Sequence, residues 1–199
     1  MRNRPAVSGP VRYPVALSRR LSACALAGAL ALGPAAAQAQ VQAQVGAAAA
    51  PEENVKAAFI FNFAVFTEWP AASLALGAPL TLCTYPGNNL QAALAGLNDK
   101  MVNGHQLLVR QLNTTARLRA CHILVLGNGD RERWSQVKKE LADASVLIVA
   151  DEAQLGDDGA MITLGLANRR IGFDVALPAT RQARLVLSSK LLRLARNVQ

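Results

Sequence analysis

Aromatic residues make up only 5% of the 199-residue chain, as five Phe, two Trp and two Tyr. That is too few to lay out a row of stacking platforms for single-stranded nucleic acid. Histidine is scarcer still, with two residues, and cysteine numbers three. Neither C-x-x-C nor H-x-x-x-H spacing occurs, so the ligands of a closed zinc site are not assembled by sequence. The G-x-S-x-G elbow and the Lys-Ser/Thr ending of a phosphate loop are missing as well, and nothing assembles into a nucleophile, base and orienter. No stretch approaches the 18 apolar residues that read as a membrane-spanning helix.

Acids are absent from residues 1–39, where five Arg stand at positions 2, 4, 12, 19 and 20. The formal charge of +8 is therefore concentrated in the first fifth of the chain; the remainder holds 16 basic against 13 acidic groups, a net +3. Arg19-Arg20 precedes a 12-residue apolar run, Leu21 to Leu32, which ends in Gly33, Pro34 and an Ala37-x-Ala39 site. Positive start, short apolar run and small-residue ending together predict a secretory signal peptide over 1–39, cleaved after Ala39. Residues 40–51 are low-complexity and read as a tether. The remaining 52–198 form one domain of about the modal size. The product is expected to be exported to an oxidising compartment, with no direct membrane insertion once the signal is removed.

Cys24 leaves with the signal, so Cys83 and Cys121 remain as an even pair bound for an oxidising compartment. Each lies in a predicted strand, 79–85 and 120–126. A disulfide is the leading reading, with a metal site using His122 and His105 as the rival.

The other elements alternate. Helices are predicted over 52–67, 89–97, 131–142 and 179–196, and strands over 79–85, 106–112, 120–126, 145–150, 160–166 and 170–176. This order indicates an α/β fold, a mostly parallel central sheet of about six strands flanked by helices. The short link between the last two strands makes them an antiparallel edge hairpin. The first helix is apolar around most of its circumference and holds Phe59, Phe61, Phe63 and Phe66, four of the five Phe. It is read either as buried or as packed on the domain by one face and on a partner by the other. The last helix is read as amphipathic and docked on the sheet.

Two segments invite a ligand and have plainer readings. Gly127-Asn-Gly-Asp130 follows a strand and opens a helix, where exposed N–H groups could hold an anion; it lacks the third Gly of a dinucleotide fingerprint, and a turn with Asp130 as N-cap is the alternative. Asp151, Glu152, Asp157 and Asp158 share a loop without the calcium-loop spacing, and read as solvated. No catalytic residue, cofactor or metal is assigned, and +3 with few aromatics excludes nucleic acid as partner.

Val55 to Pro70 (VKAAFIFNFAVFTEWP), the Cys83 strand, Cys121 to Leu126, Gly159 to Leu164 and Ile171 to Leu177 with Leu187 to Arg196 together resemble the YfiR family, in order and over nearly all of 52–198. The resemblance implies a periplasmic α/β protein that forms a homodimer and represses an inner-membrane diguanylate cyclase by binding its periplasmic part, lowering cyclic di-GMP and biofilm formation. Other relatives are associated with a sensor kinase, which leaves the cognate partner open. It also implies that a Cys83–Cys121 disulfide supports the fold and makes repression sensitive to reduction. Some members carry a second cysteine pair, for which this chain has no residues. Action by contact makes Phe59, Phe63, Phe66 and Trp69, at helical spacing, candidates for a partner or dimer surface, and Phe173 a second candidate. A periplasmic small-molecule sensor that captures its ligand at the carboxyl ends of the strands is the alternative.

Overall fold

The computed structural model describes residues 50–113, 117–168 and 170–199. The signal and nearly all of the tether lie outside the described residues. Helix α1, Glu52–Val65, opens with two acids in its first turn, where the helix dipole favours them. It turns Ala57, Ile60, Phe63 and Ala64 into the core and leaves Asn54, Ala58 and Asn62 outward. The circumference is thus apolar except for one narrow stripe.

The strands follow as β1 (Thr67–Glu68), β2 (Leu80–Thr84), β3 (Met101–Val102), β4 (His105–Gln111), β5 (Ile123–Leu126), β6 (Leu147–Ala150), β7 (Ile162–Ala167), β8 (Arg170–Val175), β9 (Val186–Leu187) and β10 (Asn197–Val198). The helices after α1 are α2 (Gln91–Ala95), α3 (Trp134–Leu141), α4 (Ala153–Asp157), α5 (Leu177–Gln182) and α6 (Ser189–Leu192). Eight strands form one sheet in the order β10-β8-β7-β6-β5-β2-β4-β3, and β1 pairs with β9 in a separate ribbon. Pairing is parallel from β4 through β2, β5 and β6 to β7, and antiparallel in the β7–β8 hairpin. This is the α/β sheet with an edge hairpin that the sequence predicts, extended by the short edge strands β3 and β10.

Every residue of β2, β5 and β6 is buried, which is why these strands read as continuous apolar runs: a parallel sheet is covered on both faces. From β2 the chain moves out to β4 and then returns to the other side of β2 as β5. The strand order therefore reverses between β2 and β5.

Two expectations are corrected. Residues 179–196 are not one amphipathic helix docked on the sheet. Arg184 takes φ of 60° after α5, Leu185 N–H returns to the Thr180 carbonyl at 2.9 Å, and the chain enters β9. The left-handed turn stops the helix, and Ser188 then caps α6 by accepting from the Lys190 N–H. Leucines 185, 187 and 191 are buried from three different local conformations. The acidic segment is also more than a solvated loop, because it contains α4, whose Leu155 is fully buried.

The carboxyl terminus is held to the hairpin by Arg196. Gly165 and Gly172 are cross-strand partners, and the Arg196 side chain lies where their Cβ atoms would stand. Its guanidinium pairs with Asp174 at 2.6 Å, leaving β10 alongside β8.

Candidate functional site

The aromatic residues singled out in α1 divide into two groups. Phe63 and Phe173 are 0% and 1% exposed, with ring centroids 4.9 Å apart in an edge-on arrangement. Phe59 closes the cluster, 6.2 Å from Phe63 and 5.9 Å from Phe173, and remains half-buried. Burial places Phe63 and Phe173 between α1 and β8, so neither presents its ring to a partner. Phe66 and Trp69 are half-buried against the same core. Beside them the β1–β9 ribbon leaves Val186 58% exposed, and Ser188 N–H donates to the Phe66 carbonyl at 2.9 Å. The accessible apolar residues of this region include Phe59, Phe61, Val65, Phe66, Trp69 and Val186.

Cys83 and Cys121 form a disulfide, with Cα atoms 5.9 Å apart and both residues buried. It joins β2 to the entry of β5, the two strands between which the order reverses. His122 comes next in the chain. Its Nδ1 accepts from the Thr81 N–H at 2.9 Å and its Nε2–H donates to the Ser73 carbonyl at 3.1 Å. Trp69 donates its indole N–H to the His122 carbonyl at 3.2 Å. The other imidazole, His105, donates from Nδ1 to the Ala78 carbonyl at 2.7 Å. Both histidines therefore grip the same connection, Pro70 to Ala78, and among the described residues no group of three or more His, Cys, Asp or Glu gathers to hold a metal ion.

At the opposite ends of β2 and β5, two turns enclose a cavity of about 160 Å³ lined by Pro86 to Asn89 and Gly127 to Asp130. The N-cap here is Gly127, and not Asp130 as the sequence suggests. Asp130 sits three residues on and reaches back to accept the Gly127 N–H at 2.9 Å. Burial pushes its carboxyl up, while the Gly127 N–H and Arg133 pull it down, with a net rise. Asn88 donates to the Val125 carbonyl and accepts from Leu90 N–H. Both side chains are thus held by main-chain groups.

A family model described as YfiR/HmsC-like matches residues 53–196. The chain belongs to that family. Its members are regulatory and not catalytic. Among solved structures, a conserved domain protein from Vibrio cholerae O1 biovar El Tor str. N16961 is similar at 10% identity and a TM-score of 0.47, over 74% of this chain. The chain spans 60% of that protein's length. No curated protein matches.

In this YfiR/HmsC-like domain α1 is also tied down by charge. Lys56 lies 2.7 Å from Asp151 and 2.6 Å from Glu52. Burial pulls the Lys56 ammonium down, but hydrogen bonds and charge from the two carboxylates outweigh it, so its pKa is raised. The Asp151 side chain is 4% exposed and that of Glu52 44%. Asp151→Ala therefore leaves the half-buried Lys56 with Glu52 as its remaining carboxylate and lowers stability by about 1.5–3 kcal/mol. Glu52→Ala, at the exposed end, lowers it by under about 1 kcal/mol. Urea unfolding of both variants checks the contrast, and equal effects would contradict it.

Sequence reasoning passed over this Lys56–Asp151 pair and the two-histidine grip. Lys56 stands in an apolar helix where a lone charge is a signal of a buried partner. The grip left no such mark, since its acceptors and donors are backbone groups.

Proposed function

We propose that this chain is an exported regulatory subunit that binds and represses the periplasmic part of an inner-membrane signalling protein, a diguanylate cyclase, as a homodimer. Repression lowers cyclic di-GMP. The observation that carries the reading is the YfiR/HmsC-like match over residues 53–196. Contact is made through the half-buried apolar residues Phe59, Phe66 and Trp69, with Phe63 and Phe173 supporting them from the core. Half-buried aromatic anchors on a fixed helix lose little conformational freedom on binding, which suits them to a contact surface.

The test is co-purification of the exported chain with the periplasmic part of an inner-membrane diguanylate cyclase from the same organism. A double Phe66→Ala/Trp69→Ala variant that stays folded is expected to lose at least tenfold in affinity. Undiminished binding by that variant would remove this surface from the proposal. Absence of any complex with the native chain would sink the partnership itself.

The alternative, a periplasmic sensor that binds a small molecule and acts with a sensor kinase, draws on the cavity at the point where the strand order reverses. The side chains of Asn88 and Asp130 in its lining already hold main-chain partners, so a ligand that used them would have to displace those bonds. Thermal shift against a panel of small anions and nucleotides would favour it if a ligand raised the midpoint.

A further inference from the structure

We propose that the Pro70–Ala78 connection is an acid-released strap, with His122 as its proton sensor and His105 as the anchor that stays fastened. The strap runs from Trp69 to the start of β2 and displays Leu76, 99% exposed, at its crest. It contains no titratable side chain of its own. Leu74 is buried in the core between its ends, and the polar side chains that hold it are the chain's two histidines, which respond to a proton in opposite ways.

His122 uses Nδ1 as an acceptor for the Thr81 N–H and Nε2–H as a donor to Ser73. Only the neutral imidazole with its proton on Nε2 can do both. A second proton must go to Nδ1, where it meets the Thr81 N–H head-on at a separation of 2.9 Å. The ring must then leave Thr81 and the Ser73 carbonyl, and it gives up its edge-on contact with the Trp69 indole, 6.5 Å away, while the indole N–H keeps the His122 main-chain carbonyl as its acceptor. His105 uses Nδ1 as a donor to Ala78. Protonation leaves that donor in place, so the Ala78 end holds.

The surroundings support the neutral ring at ordinary pH. Burial lowers the His122 pKa below 6.5, and the charge on His105 lowers it further, against a raising contribution from the Ser73 carbonyl. Of the groups around it, Thr81 and Trp69 are uncharged. The cavity of about 520 Å³ at this end of the sheet is lined by Pro70, Ala72, Ser73, Cys121 and His122 with Arg119, Asp143 and Arg184. Its two guanidinium groups outnumber its one carboxylate and oppose a further positive charge. Because the unfolded chain takes up the proton first, the stability this arrangement contributes is present above about pH 6.5 and is lost as pH falls through and below that value. The device changes the surroundings of the Trp69 ring whether or not the partner is a cyclase.

The test is an NMR titration of the exported chain from pH 8 to pH 4, following both imidazoles, both indole N–H signals and the Thr81 amide. The expected result is that His122 titrates below pH 6.5. The Trp69 indole and Thr81 amide are expected to shift with the His122 midpoint, while the Trp134 indole, bonded to the Asp158 carbonyl, does not follow. In His122→Asn, whose side-chain oxygen replaces Nδ1 as a non-titrating acceptor, the Trp69 transition is lost; in His105→Asn it persists. A His122 midpoint at or above 6.5, or a Trp69 indole signal unchanged through it, would overturn the proposal. So would an unchanged Trp69 transition in His122→Asn. Should the Asn variant fail to fold, the native titration decides alone.

Discussion

Replacing Cys83 and Cys121 together by Ala is expected to lower the unfolding free energy by about 2–5 kcal/mol. The bridge closes a loop of 38 residues that contains α2, β3 and β4, so in the unfolded chain it removes the freedom of everything between β2 and β5. In the folded protein it costs little, since both residues are already buried in adjacent parts of the sheet. Single-domain proteins hold only about 5–15 kcal/mol in total, which makes this one bond a large share. The double variant is the cleaner test because a single substitution leaves a buried thiol free to mispair. Urea unfolding of the oxidised native chain and the double variant reads the difference directly. Coincident midpoints would show that the bridge merely decorates a fold that needs no staple.

The second large effect is expected at Phe63. Truncation to Ala in a fully buried position loses the transfer energy of the ring and leaves a cavity, together about 3–5 kcal/mol. Phe63 is packed on Phe173 at 4.9 Å and on Phe59 at 6.2 Å, so part of the loss belongs to the pair. A double-mutant cycle of Phe63→Ala with Phe173→Ala is expected to show coupling of about 0.5–1.5 kcal/mol. Phe66→Ala, at a half-buried site, is expected to cost clearly less in stability. If Phe66→Ala and Phe63→Ala destabilise equally, the division of the aromatic helix into core and accessible residues is wrong.

That division shows where the sequence stops being readable. The alternation of strands and helices, the edge hairpin around Leu166 to Arg170 and the pairing of Cys83 with Cys121 are all legible, because each rests on local pattern or on simple arithmetic. The apolar character of α1 is legible too, but which of its rings is buried depends on β8, more than a hundred residues later. The last stretch misleads for a physical reason: leucines at 185, 187, 191, 192 and 194 suit a helix face, yet a single left-handed residue, Arg184, turns the chain into β9. A non-glycine residue gives no advance notice of a positive φ. The partner of β9 is β1, with Leu187 opposite Thr67, and a two-residue strand has no periodicity to read. The grip on Pro70–Ala78 is equally silent, since Ser73, Ala78 and Thr81 contribute backbone atoms and any residue could supply them.

In functional terms the proposed regulator is built around the sheet, with Trp69 beside the connection that both histidines hold. Export, partner contact and repression belong to a single proposal. It is tested most directly by measuring cellular cyclic di-GMP in a strain lacking this protein and in the same strain with it restored. Loss is predicted to raise cyclic di-GMP several-fold and restoration of the native chain to bring it down, while the Phe66→Ala/Trp69→Ala variant fails to do so. Cyclic di-GMP that stays the same in the presence and absence of the protein would contradict the account.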